Sequence, residues 1–268
     1  MYAVVSPAKK MKAQALQIKT VTPPVFPLQT TELIKVMREK SMTDIQSLMK
    51  VSEKIATLNV ERFSTFQTGV TASDAQTAVA PVGNPAVGLF AGDTYKGLDA
   101  QTLSTEELTF AQDHLGILSG LYGLLSPLDA IQPYRLEMGT KLQTAKGKNL
   151  YQFWGNQVTD RLAAKFGDGS KILINLASNE YFSVLNAQRL KEEFGITVLT
   201  PVFKEIDKKN GTGKMKIISF NAKRARGMMA RYIIQHRLDA PEGLQNFTEG
   251  GYTFRKDLSS DSEWLFVR

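Results

Sequence analysis

Residues 204–237 concentrate side chains suited to holding an anion. Ten basic residues there, Lys208 and Lys209 among them, are set against only Glu205 and Asp207, and no acid occurs from Lys208 to Arg237. A run of one sign, without the alternation that serves only to solvate a helix, favours a polyanion such as nucleic acid. An ordinary solvated face is the competing reading. Placed at 100° per residue, Ala222, Ala225, Met228, Met229, Tyr232, Ile233 and His236 fall on one side of a helix. Lys223, Arg224, Arg226, Arg231 and Arg237 fall on the other. Gly227 lies among the cations, where a missing side chain admits a phosphate or another backbone, at a helix-propensity cost of about 1 kcal/mol.

A second feature is the segment LMKVSEKIA at 48–56. It is similar to the turn of helix-hairpin-helix DNA-binding modules, with Lys50 and Ser52 at the positions where glycines are expected and Lys54 just beyond. In such a turn, backbone N–H groups at a helix start donate to one phosphate and a lysine adds charge, so recognition does not depend on base sequence. A plain helical hairpin packed in the core is the alternative.

A third group is polar, and several of its members sit where strands are expected to end: Ser6 and Lys9, Asp93 and Tyr95, Tyr134 with Arg135 and Glu137, and Asn175, Ser178, Glu180 and Tyr181. Strand ends build clefts, and a lysine beside carboxylates and tyrosines supplies a nucleophile, an acid and a phosphate ligand. Such residues also form purely structural hydrogen-bond networks. The catalytic candidates are Lys9, Tyr134, Arg135, Glu137 and Lys223, while the absence of a P-loop, GxSxG or HExxH pattern favours a protein that is not an enzyme.

The absence of cysteine excludes disulfides, thiolate metal sites and thiol redox chemistry, and His114 and His236 lack a histidine partner at helical spacing. No metal site built on imidazole and no cofactor is expected. A net charge of +7 favours anionic partners. No apolar run approaches the ~18 residues of a membrane span, so a cytoplasmic location without membrane contact is expected.

The elements that must position these residues alternate irregularly. YAVVS at 2–6 and KILINLAS at 171–178 read as buried strands, and Pro23, Pro24 and Pro27 as an extended connector. Residues 31–66 read as helices, with Thr43 and Ser52 as N-caps and a tight turn at 50–52. The loop from 68 leads into a strand ending at Gly92 and Asp93; Ser104 and Glu107 form a capping box; residues 149–166 read as one helix. VLTPVFKEI and KMKIISF flank a turn at Lys209 to Gly213, with Pro201 favouring a sheet edge, and a long helix spans about Asn221 to Leu238. The order fits an α+β fold, one compact mixed-sheet domain over residues 1–268.

Several blocks carry a wider likeness: SPAKK at 6–10, GDTYKGL at 92–98, LSGLYGLLSPLDAIQPYRLEMG at 118–139, LYQFWG at 150–155, INLASNEYF at 174–182 and KIISFNAKRARGMMARYII at 216–234. Together they resemble the YaaA family nearly end to end, apart from an additional VAPVGNPAV stretch before Phe90. The resemblance implies a peroxide stress resistance protein that limits damage from free iron, with a positively charged cleft and a helix-hairpin-helix at about 43–66. Family members look like DNA-binding proteins. The expectation is therefore binding to duplex or branched DNA, with Lys50, Ser52, Lys54, Lys223, Arg224, Arg226 and Arg231 on phosphates. The rivals are a DNA glycosylase or lyase in the same cleft, and iron sequestration by Asp93, Glu137 and Glu180, whose oxygens suit hard cations.

Overall fold

The computed structural model describes residues 1–68, 82–167, 169, 171–207 and 214–268. The turn at Lys209 to Gly213, Lys208, and most of the loop before Val82 lie outside the described residues.

The chain opens with β1 (Tyr2–Val5), buried at all four positions. Three helices follow: α1 (Pro27–Arg38), α2 (Met42–Met49) and α3 (Glu53–Thr65). Pro27 belongs to the first turn of α1 rather than to a connector, a place where its missing N–H costs nothing. The cap of α2 is Ser41, not Thr43: its Oγ accepts the Asp44 N–H at 3.1 Å, and Asp44 Oδ2 accepts the Ser41 N–H at 2.9 Å. This is the reciprocal arrangement that satisfies two orphan donors at a helix start.

Next come β2 (Asn84–Pro85), α4 (Ala86–Leu89) and α5 (Asp93–Leu98). The strand expected to end at Gly92 and Asp93 is thus largely helical, since a short apolar run carries no periodicity that separates the two states. Helix α6 (Thr105–His114) starts from the expected Ser104 and Glu107 capping box. It leads into β3 (Leu115–Ser119), β4 (Gly123–Leu125) and β5 (Ala130–Ile131). The helix expected over 149–166 is broken into α7 (Leu150–Trp154) and α8 (Gln157–Ala163), because Gly155 adopts φ +50° between them.

The remainder is β6 (Ile172–Leu176), α9 (Asn179–Phe182), α10 (Ala187–Glu192), β7 (Thr197–Ile206), β8 (Met215–Lys216), α11 (Ser219–Gln235), β9 (Thr253–Phe254) and β10 (Glu263–Val267). The strands form a mixed sheet in the order β4-β3-β1-β6-β7-β10-β9, with β8 on the end of β7, while β2 and β5 pair separately. The interior pairs β3–β1, β1–β6, β6–β7 and β7–β10 are parallel; β3–β4, β9–β10 and β7–β8 are antiparallel. The fold is α+β.

Pro201 does not mark an edge, because β7 runs between β6 and β10. Pairing with β6 ends at Leu199, and the Thr200 N–H points to β10, donating to Ser262 O at 2.8 Å. Strand alternation then turns the Pro201 nitrogen to the side that β6 has already left, where no ladder hydrogen bond is lost.

The topology also places a crevice. After β1 the chain moves to β3 on one side, whereas after β6 it moves to β7 on the other. The loops leaving the carboxyl ends of these two neighbours therefore diverge, and in open parallel sheets such a switch point is where ligands bind.

Helix α11 packs on β1, β6 and β7 and lies closest to α5. Two glycines set that approach. A Cβ on Gly227 would stand 1.8 Å from Thr94 O, and one on Gly97 2.1 Å from Arg224 O.

Candidate functional site

The crevice between β1 and β6 is closed by hydrogen bonds among the polar residues expected there. Ser6, just past β1, accepts the Ser178 N–H on its Oγ at 2.9 Å and donates to Ser178 Oγ at 3.3 Å. Tyr95 of α5 donates its hydroxyl to Ser6 O at 3.2 Å. Nearby, Lys9 Nζ pairs with Glu137 Oε2 at 2.8 Å, and Arg135 holds Glu137 Oε1 through Nη2 at 3.0 Å and Nε at 3.1 Å. Glu180 Oε1 accepts the Gly139 N–H at 3.0 Å. Asn175 is turned to its own loop and to β7, accepting from Ala177 N–H at 3.0 Å and donating to Thr200 Oγ1 at 3.4 Å.

The tyrosines of this group are structural in their protonation. Burial pushes the hydroxyls of Tyr95, Tyr134 and Tyr181 above the ordinary phenol value, and their mutual proximity reinforces the shift for Tyr95 and Tyr181. None is a base near neutrality. Tyr134, expected to line a cleft, is buried, with its hydroxyl 2.6 Å from Ser119 Oγ. Ser119 Oγ in turn accepts the Tyr122 N–H at 2.9 Å.

Arg62 of α3 was not among the expected residues. Burial first, and then the Arg135 charge, lowers its pKa, which puts the last turn of α3 within electrostatic reach of Arg135. No local pattern could have found it, because its neighbour is 73 positions away in the chain.

The three carboxylates considered for iron do not converge. Asp93 pairs with Lys96 at 3.3 Å, Glu137 with Lys9 and Arg135, and Glu180 with a backbone N–H. Among the described residues no group of three acids or histidines is arranged to hold a metal ion.

On α11 the expected two-sided division holds only in part. Lys223 and Arg224 are exposed and, among the described residues, have no acidic partner. Arg231 Nη1 donates to Leu98 O at 3.1 Å, Asp99 O at 2.9 Å and Thr102 Oγ1 at 2.8 Å, closing the carboxyl end of α5. Arg226 is half-buried, and its Nε is sealed from solvent without a hydrogen-bond partner, so burial lowers its pKa. His236, expected on the packed side, is exposed; Gly227, expected among the cations, is buried against Thr94. For Arg231 and Gly227 the cause is helix α5, which covers a side of α11 that a sequence wheel leaves open.

Between these two helices runs a groove of about 240 Å³, lined by Lys96, Asp99, Arg224, Arg231, Tyr232 and His236 among others. The α2–α3 turn presents a second cationic feature. Lys50 takes the left-handed conformation (φ +51°) that glycine adopts freely, and Lys50, Ser52 and Lys54 are all exposed. Ser52 caps α3 without a side-chain hydrogen bond. No described hydrogen bond or ion pair connects this turn to α11.

The family described as Peroxide stress protein YaaA matches residues 1–258. A UPF0246 protein of Acaryochloris marina is 46% identical over 268 residues, covering the whole of both chains. A UPF0246 protein of Aliivibrio fischeri is 47% identical over 270 residues, covering all of this chain and 98% of its own. No described helix is long and apolar enough to cross a membrane.

Proposed function

The chain belongs to the YaaA family of peroxide stress proteins, and from that premise we propose that it binds the DNA backbone largely without regard to base sequence, limiting oxidative damage to the strand. The observation that carries this reading is the exposure of Lys223 and Arg224 on α11, a helix with no acid of its own, without carboxylate partners among the described residues. Cations left unpaired by the protein are available to displace the counterions condensed on a polyanion, and the release of those ions drives association. The turn at Lys50, Ser52 and Lys54 supplies a second contact, with N–H donors at the start of α3 that no side chain caps. Arg231 and Arg226 are set apart from this role, the first committed to α5 and the second turned inward.

The test is fluorescence anisotropy with a labelled duplex and a labelled four-way junction over a salt series. Each phosphate neutralised contributes a slope of about −0.9 in log affinity against log salt on duplex DNA. Replacing Lys223 and Arg224 together by alanine is expected to reduce the slope by about 1.8, and Arg231→Ala to leave it unchanged. Salt-independent binding, or none at low salt, would remove the reading.

A second reading is favoured by Lys9, which follows β1 at the switch point and is exposed beside Glu137. There its amine could condense with the aldehyde of an abasic sugar, releasing water and forming an imine, with Glu137 taking the ammonium proton. Borohydride trapping of a protein–DNA adduct, lost in Lys9→Ala, distinguishes this reading from binding alone.

A further inference from the structure

Four of the eight exposed large apolar side chains among the described residues gather in one place: Ile206 at the end of β7, Met215 opposite it on β8, Ile217 in the link to α11, and Phe220 in the first turn of that helix. Ile217 and Phe220 are the most exposed of all, at 57% and 60%. Scattered single apolar residues on a surface need no explanation, but a contiguous apolar patch marks a surface that meets something.

Charge decides what that partner is. The two acids in this region are already neutralised: Glu205 by Arg268 at 3.0 Å, with Asn221 donating to the same oxygen at 2.6 Å, and Asp207 by Lys216 at 3.0 Å. Lys223 and Arg224 remain exposed. They follow Phe220 by three and four positions, which puts both on the same stripe of α11, one turn along. A stackable ring and two cations thus share one stripe of the helix, the two kinds of group a nucleotide's base and phosphate call for. A protein partner would have to answer this positive rim with acids, whereas an unpaired stretch of DNA offers phosphates and stackable rings together.

We propose that Phe220, with Ile217 beside it, is a stacking platform for an unpaired base, and that Lys223 and Arg224 hold the phosphates flanking that base. The protein then prefers DNA with single-stranded or unpaired character to intact duplex. This deepens the DNA-binding reading and rests on it: the α11 cations supply backbone affinity on any DNA, and Phe220 supplies the discrimination. Bases paired within a duplex keep their faces stacked on one another and cannot use the ring.

The experiment compares wild type, Phe220→Ala and Phe220→Trp by anisotropy on a labelled single-stranded 20-mer and on the same strand fully paired, at one fixed salt concentration. Wild type is expected to bind the single strand more tightly than the duplex. Loss of one stacked base in Phe220→Ala should weaken single-strand binding roughly 5- to 150-fold and leave duplex binding within about twofold, with Phe220→Trp retaining the preference. Phe220 is exposed and fills no core space, so circular dichroism should show both variants folded. Equal losses on the two substrates, or no loss on either, would overturn the platform while leaving backbone binding intact. Wild type binding neither substrate at low salt would instead remove the DNA-binding reading, and this one with it.

Discussion

Substituting Gly227 by alanine sets two effects of opposite sign against each other, and the structure says which prevails. Alanine is about 1 kcal/mol better than glycine inside a helix, so on propensity alone the variant gains stability. The new Cβ, however, would lie 1.8 Å from Thr94 O, 2.7 Å from Thr94 C and 2.9 Å from Leu98 N. All three are backbone atoms of α5, so no rotamer change can relieve the contact. Restoring a 3.4 Å separation requires α5 and α11 to part by about 1.6 Å along that contact. Overpacking typically costs 1–3 kcal/mol, and a clash with backbone belongs at the upper end. The net expectation is a loss of about 2 kcal/mol, or about 0.7 M in urea midpoint at a slope of about 3 kcal/mol per M. Equilibrium urea unfolding followed by far-ultraviolet circular dichroism reads it directly. Gly167→Ala is the control, because a Cβ there meets nothing within 4 Å. A midpoint for Gly227→Ala equal to or above wild type would refute the close packing of these helices, and with it the account of why Gly227 interrupts a cationic face.

Two further substitutions probe buried polar groups. Burial raises the Asp129 carboxyl to about 6, against the hydrogen bonds from Thr22 Oγ1 at 2.7 Å and Ser126 N–H at 2.8 Å, which favour the charged form. The folded state therefore binds this proton more tightly than the unfolded chain, and stability falls as pH rises from about 4 to about 6, by at most roughly 3 kcal/mol. The stability of Asp129→Asn relative to wild type should accordingly increase across that window in parallel urea titrations; a pH-independent difference would refute the shift. Arg226→Met removes a sealed Nε that has no partner and should raise the urea midpoint by the equivalent of about 1–2 kcal/mol. A lowered midpoint would refute the cost assigned to that unpartnered nitrogen.

Much of the backbone pattern was legible because its causes are local. The buried run at 172–176, the Ser104 and Glu107 capping box, and the turn between α2 and α3 follow from residue types within a few positions of one another. Ser6 and Ser178 were legible for the same reason, since a polar residue just past an apolar run marks where a buried strand gives way to a loop. The chain's length, its lack of cysteine and its acid-free basic run at 208–237 also narrow the chemistry.

What sequence could not decide is which neighbour each surface meets. A helical wheel placed Arg226 and Arg231 outward with Lys223 and Arg224, because it counts only apolar residues as buried. The packing of α5 against Gly227 gave Arg231 three acceptors near the end of α5, and the fold seals Arg226 Nε away from solvent with none. The pairing of Lys9 with Glu137 and the approach of Arg62 to Arg135 likewise join segments more than 70 residues apart. Chain order alone carries no record of such distances. The sequence by itself determined the α+β class, the placement of most elements and the concentration of positive charge. Only the tertiary structure decided which of those charges remain free for a ligand, because a cation's availability depends on the acids, carbonyls and helices that folding brings to it from elsewhere in the chain.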